Sequence, residues 1–412
     1  MNQMSLDLPD GSVRAQPAWS RAEITQAVVE ILDHFADRLP ADQDADIVLK
    51  PNLNNDLVAL TGNSTDLRVL AAIIEALQGR GYRHLTIADG SNVGVDRRGI
   101  DTFGRLRITA LAERAGVDVF NLNTGEGCEV TLHSGARPQL SKRILSCDFL
   151  ISVPTIKTHV EAGMSCAMKN WVGIVVGQDK RQMHYDLNRN IQAIHEHVQP
   201  DLVIVDGVIG MEGNGPGDGD PVRLGMLVGA DSAPLCDLAV ARMVGLSVDS
   251  IPYLGHAIEE GMLSVEHVQA VEDAFDLVHS VQAAPPRSAL AKLSEDPRLM
   301  WLKRAVRPLT DQPAVASAAY KLGVIQDVYS PDDDGIKGVR RADSDCGTCT
   351  ACADVCPTGL SVERIGVDTE LPECIGCLYC WWVCPDESIV LDGPLLAMER
   401  QAERYKSAIE SL

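Results

Sequence analysis

Eight of the twelve cysteines in this 412-residue chain fall between Cys346 and Cys384. They make two copies of one pattern, C-x2-C-x2-C-x3-C-P: Cys346, Cys349, Cys352 and Cys356-Pro357, then Cys374, Cys377, Cys380 and Cys384-Pro385. Each cysteine of the second copy follows its counterpart by 28 residues. Crowding of this kind in a reducing compartment points to metal rather than to disulfides. Zinc also favours C-x2-C pairs, but it takes four ligands per site and has no use for a third cysteine at the same interval.

The doubled pattern is similar to that of bacterial two-cluster ferredoxins, in which each 4Fe-4S cube is held by four thiolates. The resemblance implies a crossed ligation: Cys346, Cys349, Cys352 and Cys384 for one cluster, and Cys374, Cys377, Cys380 and Cys356 for the other. Two clusters close together suit electron relay, with an electron donor or acceptor protein as partner; clusters that only brace the fold are the alternative. Residues 340–392 hold ten acidic and three basic side chains, which favours the oxidised, less negative state and a low potential. Tyr379, Trp381 and Trp382 are expected to pack against or shield one cluster. The isolated Cys128, Cys147, Cys166 and Cys236 read as small buried hydrophobes.

A second group of candidates follows apolar, strand-like runs. In open α/β sheets ligands sit beyond the carboxyl ends of the strands, so polar residues there carry more weight. Lys50-Pro51-Asn52 follows the run 46–49, and Asp89-Gly90-Ser91 follows 84–88. The run 149–153 leads into Pro154-Thr155-Ile156-Lys157-Thr158-His159 and on to Lys169-Asn170 and Gly173. Asp206-Gly207 leads to Glu212-Gly213-Asn214-Gly215-Pro216-Gly217, and Asp231 follows 224–229. Singly, Asp-Gly is a turn and a lysine is usually solvated. Together, Lys50, Lys157 and Lys169 in an acidic protein point to an anion site, with Asn52, Asn170, Asp206, Glu212 and Asn214 as further ligand-binding candidates. Lys157, His159 and His184 are the catalytic candidates, imidazole titrating near neutrality. The glycine-rich loop has neither Walker A nor dinucleotide-binding spacing.

The elements that must position these residues alternate between helical and strand-like periods over the first 290 residues. This is the mark of an α/β fold with a mostly parallel sheet and helices on both faces. Ser20 and Glu23 form a capping-box pattern before Ile24, Val28, Ile31, Leu32 and Phe35. Helices are expected at 66–78, 100–115, 189–197 and 233–244, and strands at 46–50, 84–88, 117–121, 149–153, 202–206 and 224–229. The chain divides into an α/β domain (1–285), a helical connector (286–339), a small ferredoxin-like α+β 4Fe-4S module (340–392) and a helical tail (393–412).

The segments Lys50-Pro51-Asn52-Leu53, Lys157/His159 into Lys169-Asn170 and Gly173, Lys180 with His184, and Asp206-Gly207 through Glu212-Gly213 together resemble the bacterial and archaeal domain of unknown function 362 family. The resemblance covers roughly residues 45–245 and implies this domain arrangement, ferredoxin fusion included, but no reaction. A formal charge of −22 without any basic block argues against a nucleic-acid partner. No apolar run nears the roughly 20 residues of a membrane helix, and the polar start lacks a signal-peptide core, so a cytoplasmic protein is expected. The leading expectation is a redox enzyme whose clusters pass electrons to a small anionic substrate or cofactor at the strand ends. An accessory carrier serving a partner enzyme is the alternative.

Overall fold

The computed structural model describes residues 2–286, 332–342, 346, 348–367 and 371–412. Most of the expected connector lies outside the described residues. In chain order the strands are β1 (Met4–Leu8), β2 (Gly11–Pro17), β3 (Asp46–Pro51), β4 (His84–Asp89), β5 (Asp118–Asn121), β6 (Gly127–Glu129), β7 (Gln139–Ser141), β8 (Phe149–Val153), β9 (Thr155–His159), β10 (Gly163–Ser165), β11 (Leu202–Glu212), β12 (Asp220–Ala230), β13 (Gly338–Arg341) and β14 (Ile389–Asp392).

The main sheet has the order β1-β2-β12-β11-β8-β3-β4-β5. From β11 to β5 all neighbours are parallel. β12, β2 and β1 extend the sheet antiparallel from β11. Strand order reverses at β3, with β4 and β5 on one side and β8 and β11 on the other. That reversal opens a crevice at the carboxyl ends of the strands.

Alternate residues of the central strands enter two separate cores, because side chains of a strand alternate between its faces. Ile47, Leu49, Ile87, Leu202 and Ile204 join helices α1 (Arg21–His34) and α2 (Leu67–Gly79) in one core. Val48, Ala88, Val203 and Val205 join helices Leu187–Ile194, Ala233–Met243 and Pro252–Glu259 in the other. Both faces of the sheet are therefore covered. The capping box of Ser20 and Glu23 is formed, and Asp66 caps α2 by accepting from the Arg68 N–H.

Two expectations are corrected, and two hairpins join the expected elements. The single helix over 100–115 is two, Thr102–Arg105 and Ile108–Ala115, parted at Arg107, whose φ of 60° cannot continue a right-handed helix. The segment after Val153 is a strand hairpin, β9–β10, and the polar start of the chain is another, β1–β2. Of the isolated cysteines only Cys166 and Cys236 are buried; Cys128 is exposed and Cys147 half-buried.

In the cysteine-rich segment, β13 pairs antiparallel with β14. Two short helices, Ala351–Asp354 and Tyr379–Trp382, occupy positions 28 residues apart and carry Cys352 and Cys380. Tyr379 and Trp382 are buried in the core of α1 and α2. The Tyr379 hydroxyl accepts from the Leu67 N–H at 3.3 Å, and Arg21 Nε donates to the Pro357 carbonyl at 3.0 Å. The final helix, Glu399–Glu410, returns to the α/β domain, where Gln401 accepts from Val58 N–H and donates to the Asp56 carbonyl. No helix among the described residues is long and apolar enough to cross a membrane.

Candidate functional site

Parallel strands deliver their last residues to one end of the sheet. At that end lies a cavity of about 230 Å³ whose lining includes Asn52, Asn54, Asp89, Asn92, Lys157, His159, Ser165, Lys169, Asn170, Lys180, His184 and Pro216. Residues from several candidate segments thus meet: Asn52, Asp89, Lys157, His159, Lys169, Asn170, His184 and Pro216.

Lys50 stands one bond behind this wall. Wholly buried at the end of β3, it donates to Asp89 Oδ1 at 2.7 Å and to Asn170 Oδ1 at 3.2 Å. Burial pulls its ammonium below the ordinary lysine range, while Asp89 opposes that pull. Asp89 Oδ2 accepts from the Leu53 N–H at 2.6 Å, so both carboxylate oxygens are committed. Gly173 allows this packing: a Cβ there would sit 2.5 Å from Asp89 Oδ1 and 2.7 Å from Lys50 Nζ.

Lys157 and His159 lie two apart on β9 and so share a face, and Ser165 of β10 is the cross-strand partner of Lys157. Lys157 donates to Asn52 Oδ1 at 2.8 Å and to the Asn63 carbonyl. Burial, reinforced by Lys169, lowers its pKa to about 7. Lys180 donates to the Val175 carbonyl at 2.6 Å and to Asn123 Oδ1, and burial lowers it to about 7 as well. Lys169, partly exposed, is lowered by burial to about 8, with Glu161 opposing. Among the described residues, no carboxylate lies within bonding distance of these three lysines to match the one that holds Lys50.

His159 Nδ1 accepts from the Glu161 and Ala162 N–H groups at 3.0 and 3.1 Å. The proton of the neutral ring therefore sits on Nε2, and the ring is a donor. His184 is half-exposed at the rim, its Nδ1 3.2 Å from Glu161 Oε2. The Ser165 hydroxyl is buried and makes no hydrogen bond among the described residues. The wall is rich in donors and cations, a composition that suits an anion.

Asp206, Glu212 and Asn214 do not line this cavity. Asp206 is buried, accepting from the Asp66 and Val208 N–H groups, and burial, with Asp66 beside it, raises it to about 7. Glu212 accepts from Gln282 N–H, and Asn214 donates to Asp218 Oδ2. Asp231 lies at the opposite end, because β12 runs antiparallel; it accepts from Ser12 N–H and pairs with Arg38. Asn54 and Asn92 were absent from the sequence candidates, and Ser165 and Lys180 stood in candidate segments without a role of their own. Only the alternation of Thr155, Lys157 and His159 along β9 offered a signal for the hairpin that carries Ser165.

The thiols form two sets. Cys346, Cys349, Cys352 and Cys384 line one cavity together with Arg341, and Cys356, Cys374, Cys377 and Cys380 line another, to which Cys352 also contributes. Leu360 N–H donates to Cys356 Sγ at 3.3 Å, and Arg341 Nη2 lies 3.9 Å from Cys352 Sγ. Burial pushes the Cys380 thiol up to about 12 and raises the Cys377 thiol as well. Among the described residues no group of three or more His, Cys, Asp or Glu side chains converges to hold a single metal ion.

Fold and site define an open α/β protein with a lysine-rich cavity at its strand ends. Residues 47–242 match the family described as Domain of unknown function (DUF362), a span that holds every cavity residue named above but not the cysteine repeats. A thylakoid-associated protein of Synechocystis is 27% identical over 246 residues, covering 57% of this chain and 72% of that protein. Among solved structures, the lactate racemase apoprotein of Thermoanaerobacterium thermosaccharolyticum aligns at 14% identity with a TM-score of 0.37, over 57% of this chain and 60% of its own. A Thermotoga maritima protein aligns at 13% identity and a TM-score of 0.31, over 49% and 53%.

Proposed function

We propose that this chain is an iron–sulfur redox enzyme acting on a small anion held in the lysine-rich cavity. Two 4Fe-4S clusters would supply one-electron transfer, one held by Cys346, Cys349, Cys352 and Cys384 and the other by Cys374, Cys377, Cys380 and Cys356. The residues present fit such groups: each quartet lines its own cavity, and Leu360 and Arg341 direct N–H donors at two of the sulfurs.

The observation that carries the reading is the loop between β3 and α2. Asn52 and Asn54 line the anion cavity, while Asp56, Val58 and Ala59 line a small cleft with Cys377 and Tyr379. Asn54 and Asp56 are two residues apart, a span of at most about 7 Å. The thiol-rich module and the anion site thus share one short stretch of chain.

Within the cavity Lys169 and Lys180 supply positive charge, and His159 Nε2–H and the Ser165 hydroxyl orient the anion. His184, paired with Glu161 at the rim, is placed to exchange a proton with solvent.

The test is anaerobic reconstitution with iron and sulfide analysis. About eight irons and eight sulfides per chain are expected, one cube per quartet. Zinc in place of iron, without broad visible absorption, would sink the assignment. Cys356→Ala should remove the cluster of the second repeat and spare that of the first. For the cavity, Lys169→Ala should weaken binding of an anion such as phosphate by about 1.5–3 kcal/mol, the worth of a charge-assisted hydrogen bond, with both clusters intact.

A further inference from the structure

Four lysines gather at the strand ends, and they are not equivalent. Lys50 is held by the Asp89 carboxylate at 2.7 Å and is spent on structure. Lys157 is equally buried, yet both of its hydrogen-bond partners are neutral oxygens, Asn52 Oδ1 and the Asn63 carbonyl. An unprotonated amine has two N–H bonds and one lone pair. Those two acceptors satisfy both N–H bonds, so the neutral amine is fully accommodated with its lone pair unused, whereas an ammonium would bury a third donor and a charge. Across the strand pair, the Ser165 hydroxyl is buried and unpartnered, and His159 presents Nε2–H from the same face.

We infer that Lys157 is an amine nucleophile that condenses with the carbonyl of a small 2-oxo carboxylate, forming an imine inside the cavity. Nζ forms the bond to the carbonyl carbon, and the carbonyl oxygen departs as water with two hydrogens that Nζ gives up, so no electrons are exchanged. The Ser165 hydroxyl is the donor for the departing oxygen, with His159 on the same face, and Lys169 and Lys180 face the carboxylate. The lowered pKa of about 7 leaves much of Lys157 unprotonated at neutrality. This inference names the substrate class of the anion site proposed above and rests on that reading.

The test uses the full chain with pyruvate as probe and cyanoborohydride to trap any imine, followed by peptide mass spectrometry. Labelling should concentrate on Lys157, exceeding any exposed lysine by about tenfold or more, since an ordinary lysine is almost wholly protonated at pH 7. Lys157→Arg, verified as folded by its melting curve, should lose the label, and Lys142→Arg, at an exposed lysine paired with Glu126 outside the cavity, should keep it. Inorganic phosphate, which has no carbonyl, serves the second arm by thermal melts and by protection against labelling. A phosphate-induced rise in Tm without a Lys157 adduct, or with label spread over surface lysines, overturns the imine and leaves the anion site standing. A Lys157 adduct that phosphate neither stabilises nor prevents supports the imine and removes the general anion reading. Absence of both effects overturns both.

Discussion

At the scale of single residues, the cavity keeps cations together by burying them among neutral acceptors. Lys157, Lys180 and Lys169 sit near 7, 7 and 8 against an ordinary 10.5. Between about pH 7 and 10.5 the native chain therefore binds fewer protons on these groups than the unfolded chain. Their burial is best tolerated at the alkaline end and costs stability as pH falls through that window. A bound anion reverses the balance, because it favours the protonated form. Lys50, Asp89, Asp206 and Glu161 contribute to the same field. Phosphate should thus raise Tm more at about pH 6.5 than at about pH 9, through linkage of binding to folding. Melts at the two pH values decide it, and an equal rise at both would show that the lysines do not carry the binding.

Gly173 gives a second test at this scale. A methyl group at that position meets the Lys50–Asp89 pair from 2.5 Å. Gly173→Ala should destabilise the protein by about 1–3 kcal/mol, the usual penalty of overpacking. Urea denaturation measures it, and a neutral result would mean that the pair shifts freely.

At the scale of elements, helix α2 starts on a buried charge. Asp66 caps the helix, pairs with Arg68 at 2.7 Å, and gives its own N–H to Asp206. Arg68 in turn donates to the Trp19 and Asp354 carbonyls, which tie it to the link between β2 and α1 and to the cysteine-rich module. Asp66→Ala would leave a buried guanidinium without its carboxylate, a loss of about 3–5 kcal/mol. Chemical denaturation checks this against Ser20→Ala, which removes an ordinary exposed cap for about 1 kcal/mol.

These elements also show what a sequence can and cannot announce. Ser20, Asp66 and the apolar runs of β3, β4 and β8 act through neighbours close in the chain, so their roles are local and readable. The hairpin β1–β2 was passed over because alternate residues of β1 face solvent, which makes it read as a polar leader. Strand β9 gives little strand signal, because proline precedes it and it carries lysine and histidine where aliphatic residues would mark a buried strand. The direction of β12 depends on a turn whose sense the pattern does not record, and that direction carries Asp231 away from the site. Lys180 lies in a polar 3-10 segment, Gly177–Tyr185, where nothing local signals that one lysine is enclosed. Lys50, Lys157 and Lys169 were legible because strand ends gather in parallel sheets, a rule of topology rather than of local sequence.

At the scale of the whole molecule, the final helix joins the parts, burying Tyr405 and Ile409 in the core of α1 and α2. Gln401 satisfies a buried N–H of Val58 and a carbonyl of Asp56, and Arg404 pairs with Asp218 and Asp220 beyond the glycine-rich loop. Gln401→Ala strands two backbone groups, each costing about 1–3 kcal/mol if it finds no water. Faster amide exchange across the β3–α2 loop is the expected signature, with the central strands unchanged. Exchange rising uniformly over the sheet would show that the helix supports global stability instead.

The shared loop has a thermodynamic corollary. Asn52 and Asn54 line the proposed anion site while Asp56 and Val58 line the cleft beside the cysteine-rich module, with Asn55 alone between them. If occupancy at one end alters the loop, reduction and ligand binding form a closed square of four states, in which the work around the cycle must vanish. A ligand that prefers the reduced protein tenfold then raises the midpoint potential by about 59 mV for one electron, and the reduced protein must bind that ligand tenfold more tightly. Potentiometry with and without phosphate measures one side of the square and calorimetry on the two oxidation states measures the opposite side, so either number dictates the other.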